Sequence, residues 1–184
     1  MRGSADYGAG ASLAPATSNE SLAHDNIAVQ GNADIRRATL ATEFISFAVG
    51  DEQYGVDIMA VREIKGWSSI TQLPNQPDYM RGVLNMRGVI VPIIDLRCRF
   101  GHGLTDATPM HIIIVIQVGG KTVGLLADRV LDIIAVDASQ IQPVPQVSHD
   151  ARADFLSGLV AVEAALMALI DLDRILTPPG ETEV

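Results

Sequence analysis

The sequence of 184 residues predicts a mainly β fold made of two copies of one structural unit. Three observations support this prediction: apolar and polar residues alternate in short runs, glycine-containing turns separate the runs, and the chain resembles itself at a nearly constant spacing. Hydrophobic residues make up 48% of the chain and aromatic residues only 4%. We therefore expect a core of Val, Ile, Leu, Met and Ala.

Both ends of the chain lack apolar periodicity. Residues 1–40 are rich in Gly, Ala, Ser and Asn, which predicts a disordered tail, and residues 177–184 predict a second one. The N-terminus has no apolar signal region, and no apolar run approaches the roughly 18 residues of a membrane span. The single cysteine, Cys98, is typical of a reducing compartment. We therefore expect a cytoplasmic protein without direct membrane insertion.

Strand patterns occupy the region between the tails. Alternation around a polar turn predicts a hairpin over residues 45–56, and a Gly-Gly turn predicts a second hairpin over residues 112–126. Residues 89–94 form a β-branched run in which Pro92 favours an edge or bulged strand, because proline cannot donate to a sheet ladder.

Self-similarity organises these strands into two copies. At a shift of 69 residues, six positions are identical: Ile45, Val49, Gly50, Gly55, Val61 and Ile64 match Ile114, Val118, Gly119, Gly124, Val130 and Ile133. At a shift of 76, Gly82, Ile94, Asp95 and Leu96 match Gly158, Ile170, Asp171 and Leu172. The sequence thus predicts one domain over residues 42–176, with copies at about 42–100 and 111–176 that pack on each other and leave a groove between them.

The last segment carries conflicting signals. Residues 150–176 favour a helix by propensity, but the repeat places them opposite residues 83–94, which contain Gly88 and Pro92. We follow the repeat and predict a hairpin that turns near Glu163-Ala164-Ala165.

The residues give no catalytic or metal-binding pattern. Gly119-Gly120-Lys121-Thr122 lacks the earlier glycine of a phosphate-binding loop, which would stand at Val115. The four histidines have no partner at zinc-ligand spacing, and we expect no metal and no cofactor. Asp95 and Asp171 follow apolar runs in both copies, and we interpret them as caps or turn formers.

Charge argues for protein partners. A net charge of -9 disfavours nucleic acid and anionic lipid surfaces. Residues 62–99 carry six basic and three acidic residues, whereas residues 100–184 carry four and eleven. This predicts a basic copy and an acidic copy, which suits contacts with two different proteins or head-to-tail assembly. The alternative, equally compatible with the charges alone, is that they form ordinary solvated faces.

Several motifs resemble the CheW family of chemotaxis coupling proteins, and the resemblance covers about residues 43–176. They are Phe-Ile-Ser-Phe-Ala-Val-Gly-Asp-Glu-Gln-Tyr-Gly-Val-Asp-Ile at 44–58, Val-Arg-Glu-Ile at 61–64, the stretch from Gly82 to Arg97, and Val-Gly-Leu-Leu-Ala-Asp at 123–128. The resemblance implies two small, interleaved five-stranded β-barrels with short helices and a hydrophobic groove between them. It implies a non-enzymatic adaptor that links the cytoplasmic tips of chemoreceptors to the regulatory domain of the histidine kinase CheA. It also implies recruitment to receptor arrays, which the adaptor helps to build.

The same resemblance implies positions for the sites. Receptor-binding residues would be Val61, Glu63, Gly82, Asn85, Arg87, Val130 and Ile133. The receptor's helical hairpin would lie along the groove, with the apolar members buried against it and the charged members fixing its register. Kinase-binding candidates are Ile58 and Met59.

Other interpretations stay open at this point. A CheW-like regulator without its receiver domain is one, since residues 1–40 are too short for such a domain. A small ligand-binding β-barrel or an enzyme is another. The chain also departs from the family pattern at Glu163-Ala164-Ala165, which replaces a polar, glycine-containing turn, and in its long N-terminal tail.

Overall fold

The computed structural model describes residues 41–145, 152–163 and 165–177. The predicted tail over residues 1–40, most of the C-terminal tail and Ala164 lie outside the described residues. Within them, the same order of five strands and one short helix occurs twice, in keeping with the duplication. The first series is β1 (Thr42–Val49), β2 (Glu52–Asp57), β3 (Val61–Gly66), β4 (Met80–Met86), β5 (Val89–Asp95) and α1 (Leu96–Arg99). The second is β6 (Ile112–Val118), β7 (Lys121–Ala127), β8 (Arg129–Val136), β9 (Leu156–Val162), β10 (Ala165–Ile170) and α2 (Leu172–Leu176).

The strands form two five-stranded sheets, which confirms the predicted fold class. The first sheet has the order β8-β1-β2-β10-β9 and the second has the order β3-β6-β7-β5-β4. Each sheet therefore takes strands from both series, because the last three strands of each series join the first hairpin of the other. On one side of each hairpin, β3 pairs with β6 and β8 pairs with β1, and on the other side β5 pairs with β7 and β10 pairs with β2. A 3₁₀ turn over Ile58–Ala60 carries the chain from β2 in the first sheet to β3 in the second.

Isolated bridges link the outer strands of each sheet. Thr71, in the segment after β3, pairs with Val83 in β4, and Gln142, in the segment after β8, pairs with Leu159 in β9. In each sheet, the segment that follows one edge strand thus pairs with the strand at the opposite edge. Such pairing between the two edges closes a small barrel.

Three apolar clusters fill the fold. One lies within the second sheet and includes Leu84, Val91 and Val115, and another lies within the first sheet and includes Phe44 and Met167. The largest, called the shared core below, takes buried residues from both sheets and from both helices: Ile45, Phe47, Val49, Tyr54, Val56, Ile94, Leu96, Phe100, Ile114, Ile116, Val123, Leu125, Ala127, Ile170 and Ile175. Burial of these side chains from both sheets holds the two barrels together.

The repeated aspartates begin the two helices, as the sequence predicts. Asp95 accepts a hydrogen bond from the Cys98 amide at 3.2 Å. Asp171 accepts from the amides of Asp173 and Arg174. Each carboxylate satisfies donors that the first turn of a helix leaves unpaired.

The hairpin predicted at the end of the chain is confirmed. β9 and β10 pair antiparallel, and Glu163 in the turn has a φ of 50°. The equivalent turn of the first series contains Arg87, with a φ of 53°, and Gly88, with a φ of 90°. Strand pairing therefore overrides the helical propensity of this Ala-rich segment.

Of the two alternatives predicted from Pro92, an edge strand or a bulged strand, the edge strand is wrong. β5 lies between β7 and β4, and Pro92 pairs with Val83. The ladder between β5 and β7 begins only at Ile93, so the missing amide of Pro92 costs no hydrogen bond on that side. The register between β5 and β4 shifts near Met80 and Gly82.

Candidate partner-binding surfaces

The apolar residues predicted to bind a receptor lie on edge strands. Val61 belongs to β3 at the edge of the second sheet, and Val130 and Ile133 belong to β8 at the edge of the first. Val61 is half-buried against the shared core, whereas Val130 and Ile133 are exposed. These two residues are therefore surface groups rather than ordinary core.

Strand register shows which face these residues occupy. Val130 pairs with Phe47 and Ile133 pairs with Ile45, both of which belong to the shared core. Directly paired residues point to the same face of a sheet. Val130 and Ile133 therefore extend the shared core outward to solvent.

The same relation holds on the other edge. Val61 pairs with Ile116, and Ile64 pairs with Ile114, again members of the shared core. Sequence reasoning did not assign Ile64 to the site, although it is exposed and matches Ile133 in the repeat. We define the apolar edge surface as Val61, Ile64, Val130 and Ile133.

The polar candidates form a second group, on the other face of β3. Glu63 pairs with Val115, which belongs to the cluster within the second sheet, so Glu63 points away from the face of Ile64. Glu63, Asn85 and Arg87 line one cavity of about 540 Å³. All five strands of the second sheet contribute to its lining, and we call it the polar mouth: Arg62, Glu63, Lys65, Asn85, Met86, Arg87, Val89, Val91, Val115 and Thr122.

Three cations and one carboxylate surround the polar mouth. Arg62, Lys65 and Arg87 line the cavity together with Glu63, and the Arg62 guanidinium donates a hydrogen bond to Gln117 at 2.8 Å. The side chain of Asn85 accepts from the Gly88 amide at 2.9 Å and so supports the turn that presents Arg87. Sequence analysis did not assign Arg62 or Lys65 to the site, although the two residues flank Glu63 and Ile64 on the same strand.

Gly82 has a different environment from the other candidates. It is buried in β4 with a φ of 136°, and a Cβ atom there would stand 2.2 Å from the Thr71 carbonyl oxygen. Only glycine fits at this position. Gly82 therefore acts through the backbone bridge between Thr71 and Val83, with no side chain to offer a partner.

The kinase candidates occupy the turn that crosses between the sheets. Asp57 accepts from the Met59 amide at 2.8 Å and begins the 3₁₀ turn. Ile58 packs against the shared core, whereas the Met59 side chain is 80% exposed. The turn is thus anchored on one side and presents a thioether on the other.

The predicted division into a basic and an acidic copy does not separate the two sheets. Each sheet combines strands of both series, so the charges of one copy are spread over both barrels. Over residues 42–100 the balance is also close, with seven acidic residues to six basic ones, because four acidic residues precede Arg62. The local charge of the polar mouth is the more useful quantity.

Charged groups also join distant parts of the chain. Glu52 accepts from the Tyr54 hydroxyl at 2.7 Å and pairs with Arg152. Partial burial opposes ionisation of Glu52, but the hydrogen bonds and the Arg152 charge hold its pKa below the usual range. Burial raises the pKa of the Cys98 thiol, which disfavours the reactive thiolate.

The described residues contain no group of three or more histidine, cysteine or acidic side chains that could hold a metal ion. In the same part of the chain, no helix has the length and apolar character needed to cross a membrane.

Comparison with known proteins decides the family. The family model for the CheW-like domain matches residues 43–179. The chain belongs to the CheW family. It is 45% identical to the probable chemotaxis protein CheW of Rhizobium etli, a match that covers 77% of this chain and 89% of that protein. It is 43% identical to the chemotaxis protein CheW of Rhizobium meliloti, over 77% of this chain and 90% of the relative.

A solved CheW structure agrees with the fold. The scaffolding protein TtCheW from Thermoanaerobacter tengcongensis is 32% identical and superposes with a TM-score of 0.69, covering 77% of this chain and 91% of that one. CheW relatives are named as chemotaxis proteins and, in this case, as a scaffold. The predictions of a CheW-type chemotaxis scaffold and of a protein that is not an enzyme are thereby confirmed.

Proposed function

We propose that this protein couples the cytoplasmic tips of chemoreceptors to the histidine kinase CheA and helps to build signalling arrays in the cytoplasm. The observation that carries the proposal is the apolar edge surface, which extends the shared core to solvent on the edge strands of both sheets. Exposed apolar patches that continue a core are typical of protein-binding sites.

The receptor tip is proposed to pack on this surface as an amphipathic helical hairpin. The four side chains of the apolar edge surface have no hydrogen-bonding groups, so they can pack against the apolar face of a helix. The polar mouth lies on the other face of the same edge strand, β3, where Arg87 and Glu63 are proposed to fix the register of the receptor by charge.

The kinase regulatory domain is proposed to contact the 3₁₀ turn over Ile58–Ala60. Its support is geometric: Ile58 anchors the turn on the shared core, and Met59 projects from it. A flexible and polarizable thioether adapts well to an apolar partner surface. Because the turn connects the two sheets, a partner bound there is close to β3 and its receptor-binding residues.

Reconstitution tests the coupling directly. The full chain is mixed with a receptor cytoplasmic fragment and CheA, and co-sedimentation and kinase autophosphorylation are measured. We expect Ile133→Asp to weaken sedimentation with the receptor about tenfold or more, since a buried charge replaces an apolar contact.

Leu104→Asp is the matched control. Leu104 is 57% exposed and Ile133 is 54% exposed, but Leu104 lies in the connection between the two series of strands. Equal loss of receptor binding in both variants, or none in Ile133→Asp, contradicts the assignment of the apolar edge surface. Failure of the unmodified chain to bring receptor and kinase together contradicts the proposed function.

A further inference from the structure

The methionines of the described residues differ widely in exposure. The side chains of Met59 and Met110 are 80% and 82% exposed, whereas Met167 is fully buried in the cluster within the first sheet. Met80 and Met86 are half-buried, each packed against an apolar cluster. A peroxide in solution therefore reaches two thioethers far more readily than the others.

Met59 has a position that gives its oxidation a consequence. It projects from the 3₁₀ turn between the sheets, two residues before Val61 of the apolar edge surface. The turn is held by the hydrogen bond from the Met59 amide to Asp57 and by packing of Ile58, and neither contact uses the thioether. A change at the sulfur alters what a partner meets without removing a contact that holds the turn.

We propose that Met59 is a reversible oxidation site that controls docking of the kinase; this inference rests on the proposed function. A peroxide transfers one oxygen atom to the sulfur: the O–O bond breaks, an S=O bond forms, the thioether loses two electrons, and hydrogen peroxide leaves as water. A dithiol-dependent sulfoxide reductase reverses the step, with the dithiol oxidised to a disulfide and the oxygen released as water.

The physical effect follows from the change in polarity. The thioether is apolar, whereas the sulfoxide oxygen is a strong hydrogen-bond acceptor that loses hydration when a partner covers it. Docking over the sulfoxide is disfavoured unless the partner supplies a donor. Conversely, a docked kinase shields the sulfur, so binding and oxidation oppose each other.

Met110 serves as an internal control in the same molecule. Trp67, just after β3, donates its amide to the His111 carbonyl at 2.8 Å, so Met110 is near the end of β3 opposite to Met59. At about 3.3 Å per residue, the six residues of β3 separate the two ends by roughly 20 Å. A local footprint over Met59 leaves Met110 accessible.

The experiment is limited oxidation of the full chain with hydrogen peroxide, followed by peptide mass spectrometry, with and without CheA. In the free chain we expect Met59 and Met110 to oxidise at similar rates, with Met167 at least tenfold slower. Bound CheA is expected to slow oxidation of Met59 about fivefold or more and to leave Met110 unchanged. Equal protection of both residues, or of neither, overturns the proposal.

Affinity measurements complete the test. Oxidised chain is expected to bind CheA about tenfold more weakly, and treatment with methionine sulfoxide reductase and dithiothreitol is expected to restore binding. Peroxide should still weaken the binding of CheA by the Met110→Leu variant. It should not change the affinity of the Met59→Leu variant for CheA, whatever that affinity is before treatment. If the chain with Met59 sulfoxide binds CheA with full affinity, the proposed control by oxidation is wrong but the proposed function stands. If the untreated chain does not bind CheA at all, the proposed function is wrong.

Discussion

Replacing Gly82 by alanine is the sharpest test of how the second barrel closes. The new Cβ atom would stand 2.2 Å from the Thr71 carbonyl oxygen, a distance at which the backbone must move. That oxygen accepts from the Val83 amide at 2.8 Å, and the Thr71 amide donates to the Val83 carbonyl at 2.9 Å. The substitution therefore endangers both hydrogen bonds of the bridge between Thr71 and Val83.

The size of the effect can be worked out from two contributions. Alanine at a φ of 136° is strained by about 1–3 kcal/mol. Loss of two backbone hydrogen bonds adds about 0.5–1.5 kcal/mol each. We expect Gly82→Ala to lower the free energy of unfolding by about 4 kcal/mol, a large part of the stability of a domain of this size.

Gly88→Ala separates strain from steric contact. Gly88 also has a positive φ, of 90°, but no atom lies within 4 Å of the Cβ that alanine would add. Its expected cost is the strain alone, about 1–2 kcal/mol. Urea unfolding followed by circular dichroism measures both variants. Equal costs, or a cost below about 1 kcal/mol for Gly82→Ala, would refute the closure argument.

Three further predictions concern charged residues. Arg87→Ala should abolish receptor pull-down while changing the free energy of unfolding by less than about 0.5 kcal/mol, because Arg87 is exposed in a turn. Unchanged pull-down by the folded variant would contradict the proposed role of Arg87 in binding the receptor. Asp95→Asn should lower the free energy of unfolding, measured by thermal unfolding, by about 2–4 kcal/mol, because the buried carboxylate accepts three hydrogen bonds and lies 3.5 Å from the Arg81 guanidinium. Asp171 is more exposed, and Asp171→Asn should lower it by less than about 1 kcal/mol. Similar losses in the two variants would show that burial of the carboxylate is not decisive. The pKa of Glu52 is lowered in the folded chain, so its carboxylate contributes stability that is present above the unfolded pKa of 4.5 and is lost as pH falls through the folded pKa. Acid should therefore destabilise the parent chain more than it destabilises the Arg152→Ala variant. Parallel pH profiles of urea unfolding for the two proteins would contradict this.

The candidate site was predicted in part. The resemblance supplied Val61, Val130 and Ile133, and the structure places all three on edge strands beside shared-core residues. Their separation from Glu63 could not be derived, because a register shift between Val61 and Glu63 decides which face of β3 each residue occupies. Ile64 was within reach of the sequence, since it is the repeat partner of Ile133.

Much of the fold follows from local chemistry. Alternation and turn residues mark the hairpins, and a carboxylate after an apolar run marks the start of each helix at Asp95 and Asp171. The repeat also identifies a hairpin at Glu163 where helical propensity points elsewhere. These features depend on residues a few positions apart, or on a match between two copies, and both are readable in the sequence.

The exchange of the last three strands between the two series is a property that only the tertiary structure decided. β3 and β8 have the same residues at their apolar positions, Val61 with Val130 and Ile64 with Ile133, so either strand has a pattern that fits β1 or β6. Sheet pairing satisfies the same backbone hydrogen bonds in both arrangements. The choice depends on where the short turn over Ile58–Ala60 sends the chain and on how both sheets bury the shared core. The sequence therefore determined the strands and their duplication, whereas packing across the whole domain determined which copy each strand completes.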